Sequence, residues 1–447
     1  MLWLAALVMF AGAPSKLTLP EAIDRALAAY PDTRIAALAR EEALARRASA
    51  TGALFPRLRV EAGLQVWDRP LTVKFTQEAA PGEEQPDLSF LPPSFRSMLD
   101  RMQEPSQVRD AFTANASVTV AQPLTPLYAL LQARRLEARG VDASAAQQSR
   151  AEIELAFKVT EAYVQALMAE AGARTAERGI ALATQLMERA EQLAKAGIVA
   201  NADVLRAKVN LANVREASLN ARVGVELSRA ALAMYLGAAP DETFSLEEET
   251  REWPPPPALD DALAAAKSAR PELLEIDARL EQADAAVHLA RSRMIPDLTI
   301  LGQYQFTHGQ KFAQQNQVFF GASLGWDVWE WGNKWYLIDA AKAKAEAARL
   351  ERAKLADLLL LDVRQAHTRH AIAAESAAAA KVALEAAKEF LDNEQGRYGA
   401  GQVTATDLAM AQTNFLQAEN NFVAARLKIV LARAALDKAI GRRPLRD

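Results

Sequence analysis

The 447-residue sequence predicts an α+β membrane protein: a tandem-duplicated chain that gives four transmembrane β-strands and long coiled-coil helices. Three observations carry that prediction. The chain matches itself in two registers, four short segments alternate apolar and polar side chains, and the Ala-rich remainder repeats at the heptad spacing.

Composition narrows the class. Hydrophobic residues make up 51% of the chain, yet mean hydropathy is only -0.08, because Ala supplies much of that share and charged residues reach 24%. Such a mixture belongs to long helices and coiled coils rather than to a compact enzyme core. A net charge of -4 and a pI near 5.8 give no basic surface to attract nucleic acid. The chain has no Cys, which excludes disulfides, thiolate metal sites, a Cys nucleophile and a lipidated N-terminal Cys.

Residues 1–15 read as a signal peptide. Leu2 to Ala11 is a short apolar run, and the small residues of AGAPSK place a cleavage site between Ala11 and Lys16, although no Lys or Arg precedes the run. The run is shorter than the roughly 20 residues that span a bilayer, and no later segment is apolar enough for a membrane helix.

Two repeats follow, 16–238 and 259–447, joined by a linker over 239–258 whose acidic run and four prolines, APDETFSLEEETREWPPPPA, break regular structure. At an offset of 240, positions 22 to 65 contain 11 identities in 44 without a gap, among them Pro31 with Pro271, Pro56 with Pro296, Leu58 with Leu298 and Gln65 with Gln305. At an offset of 204, KAGIVANADVLRAKV matches YGAGQVTATDLAMAQ, pairing Gly197 with Gly401, Val199 with Val403, Asp203 with Asp407 and Ala207 with Ala411. Arg229 to Leu232 recurs as Arg433 to Leu436, and each is followed five residues later by a glycine, Gly237 or Gly441.

Each repeat reads as helix, strand, loop, strand and then a very long helical pair. The strands are expected over about 56–66, 112–122, 296–306 and 317–327. In the first, Leu58, Val60, Ala62, Leu64 and Val66 share a face opposite Arg57, Arg59, Glu61 and Gln65; in the second, Phe112, Ala114, Ala116, Val118 and Val120 oppose Thr113, Asn115, Ser117 and Thr119. In the later pair the apolar face of the first strand is Leu298, Ile300, Tyr304 and Phe306, and that of the second is Val318, Phe320, Ala322, Leu324 and Trp326. Strict period two marks a half-buried strand, and about ten residues is the span of a tilted transmembrane strand.

The helices follow a different period. Leu408, Phe415, Phe422, Ile429 and Leu436 recur every seventh position, each followed three residues on by Ala411, Ala418, Ala425, Ala432 or Ala439. This is a seam of large a and small d positions that lets helices approach closely. Its counterpart, Val204, Leu211, Val225 and Leu232, is interrupted by Ser218. Leu127 to Lys195 reads as one nearly continuous helix, roughly 100 Å long.

Four amphipathic strands cannot close on themselves, since the smallest membrane barrels use about eight. An open edge in hydrocarbon leaves N–H and C=O groups unpaired at several kcal/mol each, so several chains must share one barrel. Two chains give eight strands and a filled interior; three give twelve and room for a channel.

These residues resemble the TolC-like outer-membrane efflux proteins. The resemblance covers nearly all of the mature chain: LTLPEAIDRALAAYPDTRIA at its start, a proline before each first strand, and in both repeats a Gly-containing turn followed by Asp-Val or Asp-Leu. It implies a homotrimer forming a 12-stranded β-barrel in the outer membrane of a Gram-negative bacterium, continued by a periplasmic α-helical barrel, with 239–258 as its equatorial region. The implied partners are outer-membrane lipid, a periplasmic adaptor (membrane fusion) protein and an inner-membrane transporter. No cofactor is implied.

At the two turns, glycines give backbone freedom and Thr404 or Thr406 can cap the following helix. From residues alone, Asp203 and Asp407 are either first-turn acids favoured by the helix dipole or rings of carboxylate at a constricted tip. The resemblance favours the second: Tyr398 and Asp203 fall on a family pair that bonds to hold the closed aperture, and Asp407 on a constriction acid. A second constriction acid falls on Met410 and a basic tie on Val403, which implies a simpler gate. Gly197, Ile198, Gly401 and Gln402 fall where the family's tips meet the adaptor.

Other features carry less. His367 and His370, three apart, read as a solvated helix face rather than a metal site, and no nucleophile, His and acid grouping argues for an enzyme. Trp326, Trp329, Trp331 and Trp335 read as an aromatic girdle or as packing where strand returns to helix. The connecting loops are unequal, 67–111 against 307–317, and LPPSFRSMLDRMQEP in the longer one is either a short helix or an irregular loop. The functional expectation is the exit duct of a tripartite efflux system. The alternatives are the outer-membrane conduit of a type I protein secretion system, which neighbouring genes would distinguish, and a soluble coiled-coil scaffold, which leaves the alternating strands unexplained.

Overall fold

A computed structural model of the chain describes residues 16–73, 89–103, 105–239, 242, 244–248 and 255–445. The expected signal peptide over 1–15 and much of the 239–258 linker lie outside these residues. The first repeat runs β1 (Lys16–Leu17), α1 (Leu19–Ala29), α2 (Pro31–Gly52), β2 (Arg57–Val66), β3 (Leu71–Val73), α3 (Pro93–Gln103), β4 (Ser106–Pro123), α4 (Pro126–Lys195) and α5 (Asn201–Leu236). The second runs β5 (Ser245–Leu246), α6 (Leu259–Ala269), α7 (Pro271–Ser292), β6 (Asp297–Gln310), β7 (Asn316–Gly325), α8 (Asn333–Gly399) and α9 (Ala405–Ala439).

Local chemistry sets the breaks in the same places in both repeats. Tyr30 and Arg270 adopt extended backbone (ψ 133° and 119°) because each precedes a proline, Pro31 or Pro271, whose ring crowds the helical conformation. Thr18 opens α1 with a capping box: its backbone N–H donates to Glu21 Oε2 at 3.0 Å while its hydroxyl accepts from the Glu21 N–H. α4 is a single helix of 70 residues and α8 one of 67.

The chain divides into two compact units. One holds Ala45–Ala138 and Glu281–Ala345, and contains the sheet. Its strands run in the order β2-β4-β6-β7, all antiparallel, with β3 also paired to β4. Register turns four separate alternations into one surface. Val60 lies opposite Val118, Val118 opposite Tyr304, and Tyr304 opposite Val318, so the apolar faces coincide; Gln305 stands between Ser117 and Gln317 on the polar face. A one-residue slip anywhere would put apolar side chains on the polar side. Among the described residues β2 and β7 each have one neighbouring strand, so the sheet ends in two open edges.

Two strands, β4 and β6, exceed their expected lengths, while β2 and β7 keep close to theirs. β4 begins at Ser106 rather than near 112, because β3 and the end of β6 pair with its N-terminal part across a shift in register between Arg109 and Ala114. That irregularity breaks the period-two pattern and hides the extension. β6 likewise continues to Gln310, which shrinks the shorter loop to 311–315. In the longer one the described residues include the helix α3.

The second unit holds the chain up to Leu44, Arg139–Leu280, and Glu346 onward, and is helical apart from a small parallel pairing of β1 with β5. Its core joins Leu19 and Ala22 of α1, Val159 and Tyr163 of α4, and Leu232 and Leu236 of α5. The fully buried Tyr163 fastens the β1–β5 pair: its hydroxyl lies 2.7 Å from both Leu17 O and Glu247 O and accepts from the Glu247 N–H at 3.1 Å. Tyr163→Phe removes the donor to Glu247 O, while the Glu247 N–H still bonds Leu17 O at 3.2 Å, and is expected to cost about 1–3 kcal/mol. Faster protease cleavage within 239–258, with the sheet intact, is the readout.

The heptad seam holds at the two ends of α9, where Leu408, Ala411, Ala425, Leu436 and Ala439 are buried, whereas Phe415, Ala418, Phe422, Ile429 and Ala432 are half-buried and Leu427, Val430 and Ala434 are buried off the seam; Ser218, the apparent interruption in α5, is buried with Val204, Leu211 and Leu232. The C-terminal glycines close each repeat on its own first helix. Gly237 (φ +63°) packs against Ala29, and Gly441 (φ +81°) against Ala269 and Arg270.

Candidate functional site

The two turns between α4 and α5 and between α8 and α9 lie in the helical unit and share one small core. Leu186 and Leu193 of α4, Val204 and Ala207 of α5, Tyr398 of α8 and Leu408 of α9 pack together there. Each turn is made the same way. The N–H of Ile198 bonds Leu193 O at 2.9 Å and that of Gln402 bonds Arg397 O at 3.0 Å, with Gly197 (φ +74°) and Gly401 (φ +70°) in the left-handed conformation between. Gly399 is the last residue of α8, so Gly401 alone supplies the left-handed turn there. The turns touch: a Cβ on Gly401 would meet Ile198 Cγ2 at 3.2 Å. Gly197, Ile198, Gly401 and Gln402 are exposed.

The helix starts beyond the turns differ. Thr404 caps α9 in a box with Asp407: the Thr404 N–H and hydroxyl donate to Asp407 Oδ2 at 2.9 and 2.7 Å, and the Asp407 N–H returns a bond to Thr404 Oγ1. The bond from the Thr404 hydroxyl, then that from its backbone, holds the Asp407 carboxyl below the ordinary carboxylate range. A depressed folded-state pKa means that the contribution is present above the unfolded value and is lost as pH falls through the folded one. Ala200 occupies the equivalent position before α5 and offers no side-chain cap.

Tyr398 and Asp203 are neighbours without a bond. The Tyr398 side chain is enclosed at 1% exposure and its hydroxyl has no hydrogen-bond partner among the described residues. Burial first, and then the nearby Asp203 charge, push its pKa up, while Arg189 pulls it down. The expected tie between Tyr398 and Asp203 is therefore not made. The Asp203 carboxylate is engaged by Arg206 one helical turn on, at 3.2 Å. That partner was legible in the i, i+3 spacing, whereas Arg189 comes from another helix. Asp407 stands apart from this pair, exposed with its cap, beside an exposed Met410 and a half-buried Val403.

The histidines depart from a solvated face. His367 Nε2 lies 3.3 Å from Pro257 O, and both rings are half-buried. Burial, followed by the charges of Arg433 and His367, lowers the pKa of His370.

The family model for outer membrane efflux proteins matches residues 22–238 and 262–442. No curated protein matches the chain by sequence. Among solved structures, the outer-membrane channel OprN aligns with a TM-score of 0.77 at 20% identity, over 95% of this chain and 89% of that one. The CmeC outer membrane channel of Campylobacter jejuni aligns at 0.76 and 16%, over 96% and 87%, and the outer membrane protein VceC of Vibrio cholerae at 0.77 and 16%, over 95% and 96%. At these identities the likeness is one of fold.

Proposed function

We propose, because this chain belongs to the outer membrane efflux protein family, that its paired turns form the periplasmic gate of an exit duct fed by an adaptor and an inner-membrane pump. The protein is an outer-membrane efflux channel and extends into the periplasm; the family is one of transport channels rather than enzymes. The observation that carries the reading is the sheet: one continuous apolar face, one polar face and two open edges, which three copies join into a barrel of twelve strands.

Transport through such a tube is passive. Energy enters through the pump, and the adaptor, docking on Gly197, Ile198, Gly401 and Gln402, favours the dilated tip by binding it more tightly than the closed one. In the closed tip Asp203 and Tyr398 sit within the turn's core while three copies of Asp407 gather at the narrowing. A ring of carboxylates favours cations and binds multivalent ones. Cargo passes as a solute handed over by the pump.

Single-channel recordings of the trimer purified from outer-membrane fractions test this. The native channel is expected to prefer cations, and Asp407→Asn, which keeps an acceptor for the Thr404 cap while removing charge, is expected to weaken that preference. Unchanged selectivity removes Asp407 from the constriction. A product that is monomeric and water-soluble without detergent overturns the duct itself.

A further inference from the structure

The run of exposed apolar side chains on β7 does not stop with the strand. Beyond Gly325, Trp326, Val328, Trp329, Trp331, Trp335 and Tyr336 all stand open, with Trp331 exposed at 86% and Trp329 at 73%. Trp329 and Trp331 meet edge to face with centroids 5.9 Å apart. Trp331 takes a left-handed backbone (φ 51°), which is rare for a bulky residue, and Gly332 (φ +83°) turns beneath the Tyr336 ring. So many large rings on one short segment exceed the apolar patch that a surface ordinarily leaves bare.

Composition and continuity indicate what covers it. The segment follows directly on the strand whose exposed apolar face carries Val318, Phe320 and Leu324, the face that the barrel turns to hydrocarbon. The helical cores of this chain contain Ala, Leu, Val and some Tyr and Phe but no Trp; here the chain uses indoles and a phenol, which pair an apolar body with a polar tip and suit the boundary between lipid tails and water.

A cavity of about 450 Å³ opens in the same unit, lined by Arg293, Asp297, Trp326, Asp327, Glu330 and Lys334 among others. Lys334 is fixed there, donating to Asp327 O at 2.7 Å and lying 3.5 Å from Glu330. Trp326 belongs to both features, lining the cavity and following directly on the strand. The cavity thus offers carboxylates for an ammonium, and cations for a phosphate, where the aromatic patch meets its rim.

We infer that Trp326–Tyr336 is an interfacial anchor and that the cavity beside it holds the headgroup of a zwitterionic phospholipid bearing a primary ammonium. The ammonium meets Asp297 and Asp327, the phosphate meets Arg293, and the acyl chains run along Phe320 and Leu324. This rests on the barrel's place in the outer membrane, and the leaflet concerned is the one at the helical ends of the strands.

The full chain in nanodiscs, with Trp3, Trp67 and Trp253 changed to Phe so that emission reports this segment, tests the site. Nanodiscs of phosphatidylcholine carry an equal minor fraction of chain-brominated phosphatidylethanolamine, phosphatidylcholine or phosphatidylglycerol. Quenching about twofold stronger by the ethanolamine lipid than by the choline lipid is expected. The excess is expected to vanish in Asp297→Asn with Asp327→Asn, while the quenching common to all three lipids stays. Equal quenching by all three lipids, or stronger quenching by phosphatidylglycerol, overturns the headgroup site. No quenching by any lipid overturns the anchor as well, and is the outcome if a second copy covers the patch. The lipid comparison needs no change at the cavity, and channel recordings on the same protein in planar bilayers separate its failure from failure of the efflux reading.

Discussion

Gly441→Ala is expected to destabilise the helical unit by roughly 3–5 kcal/mol, enough to lower markedly the temperature at which the trimer dissociates. Gly441 sits at φ +81°, and a Cβ there would lie 2.7 Å from the carbonyl carbon and oxygen of Ala269 and 2.8 Å from the Arg270 nitrogen. Those atoms are backbone and cannot rotate away. They also bear the bend between α6 and α7 that Pro271 enforces, so relief would have to move a whole helix junction. Gly237→Ala, whose nearest obstruction is the Ala29 methyl at 2.9 Å, is expected to cost less. The measurement is the temperature at which the purified trimer dissociates on a denaturing gel; equal transitions for Gly441→Ala and the native protein would refute the argument.

The second large effect is expected on the sheet. Val60→Arg places a guanidinium on the apolar face, near the middle of β2 and opposite Val118, and should cost about 2–4 kcal/mol in each chain if that face meets hydrocarbon. Glu61→Arg, one residue on and facing the polar side, is expected to be tolerated. The pair is read as the yield of trimer in outer-membrane fractions. Equal yields would mean that lipid does not touch this face.

Much of this arrangement was legible in the sequence because two periods leave marks that do not depend on tertiary context. Alternation in RLRVEAGLQV and FTANASVTV named the residues of each apolar face, and the sheet register then only had to superpose them. Seven-residue spacing named the buried stripe at the two ends of α9, and the two glycine frames named both turns. What stayed hidden depends on irregularity or on partners distant in the chain. The start of β4 is masked by its register shift, and the Tyr163 clasp joins strands of only two residues each, too short for any period to reveal. The tie between Tyr398 and Asp203 came from family likeness, and it is not made here: the Tyr398 hydroxyl has no partner among the described residues, and the carboxylate pairs with Arg206 one turn along the same helix. His367 was misplaced because nothing local announces that the Pro257 carbonyl returns to meet it.

The two unpaired strand edges make protein dosage a nonlinear matter. A lone chain has nowhere stable to sit in lipid, so working ducts form with roughly the third power of the free chain's abundance, and a modest fall in synthesis removes disproportionately many. By the same rule a folding-competent copy with a crippled edge poisons its neighbours. If half the chains carried such a lesion and mixed at random, about one assembly in eight would be wholly sound.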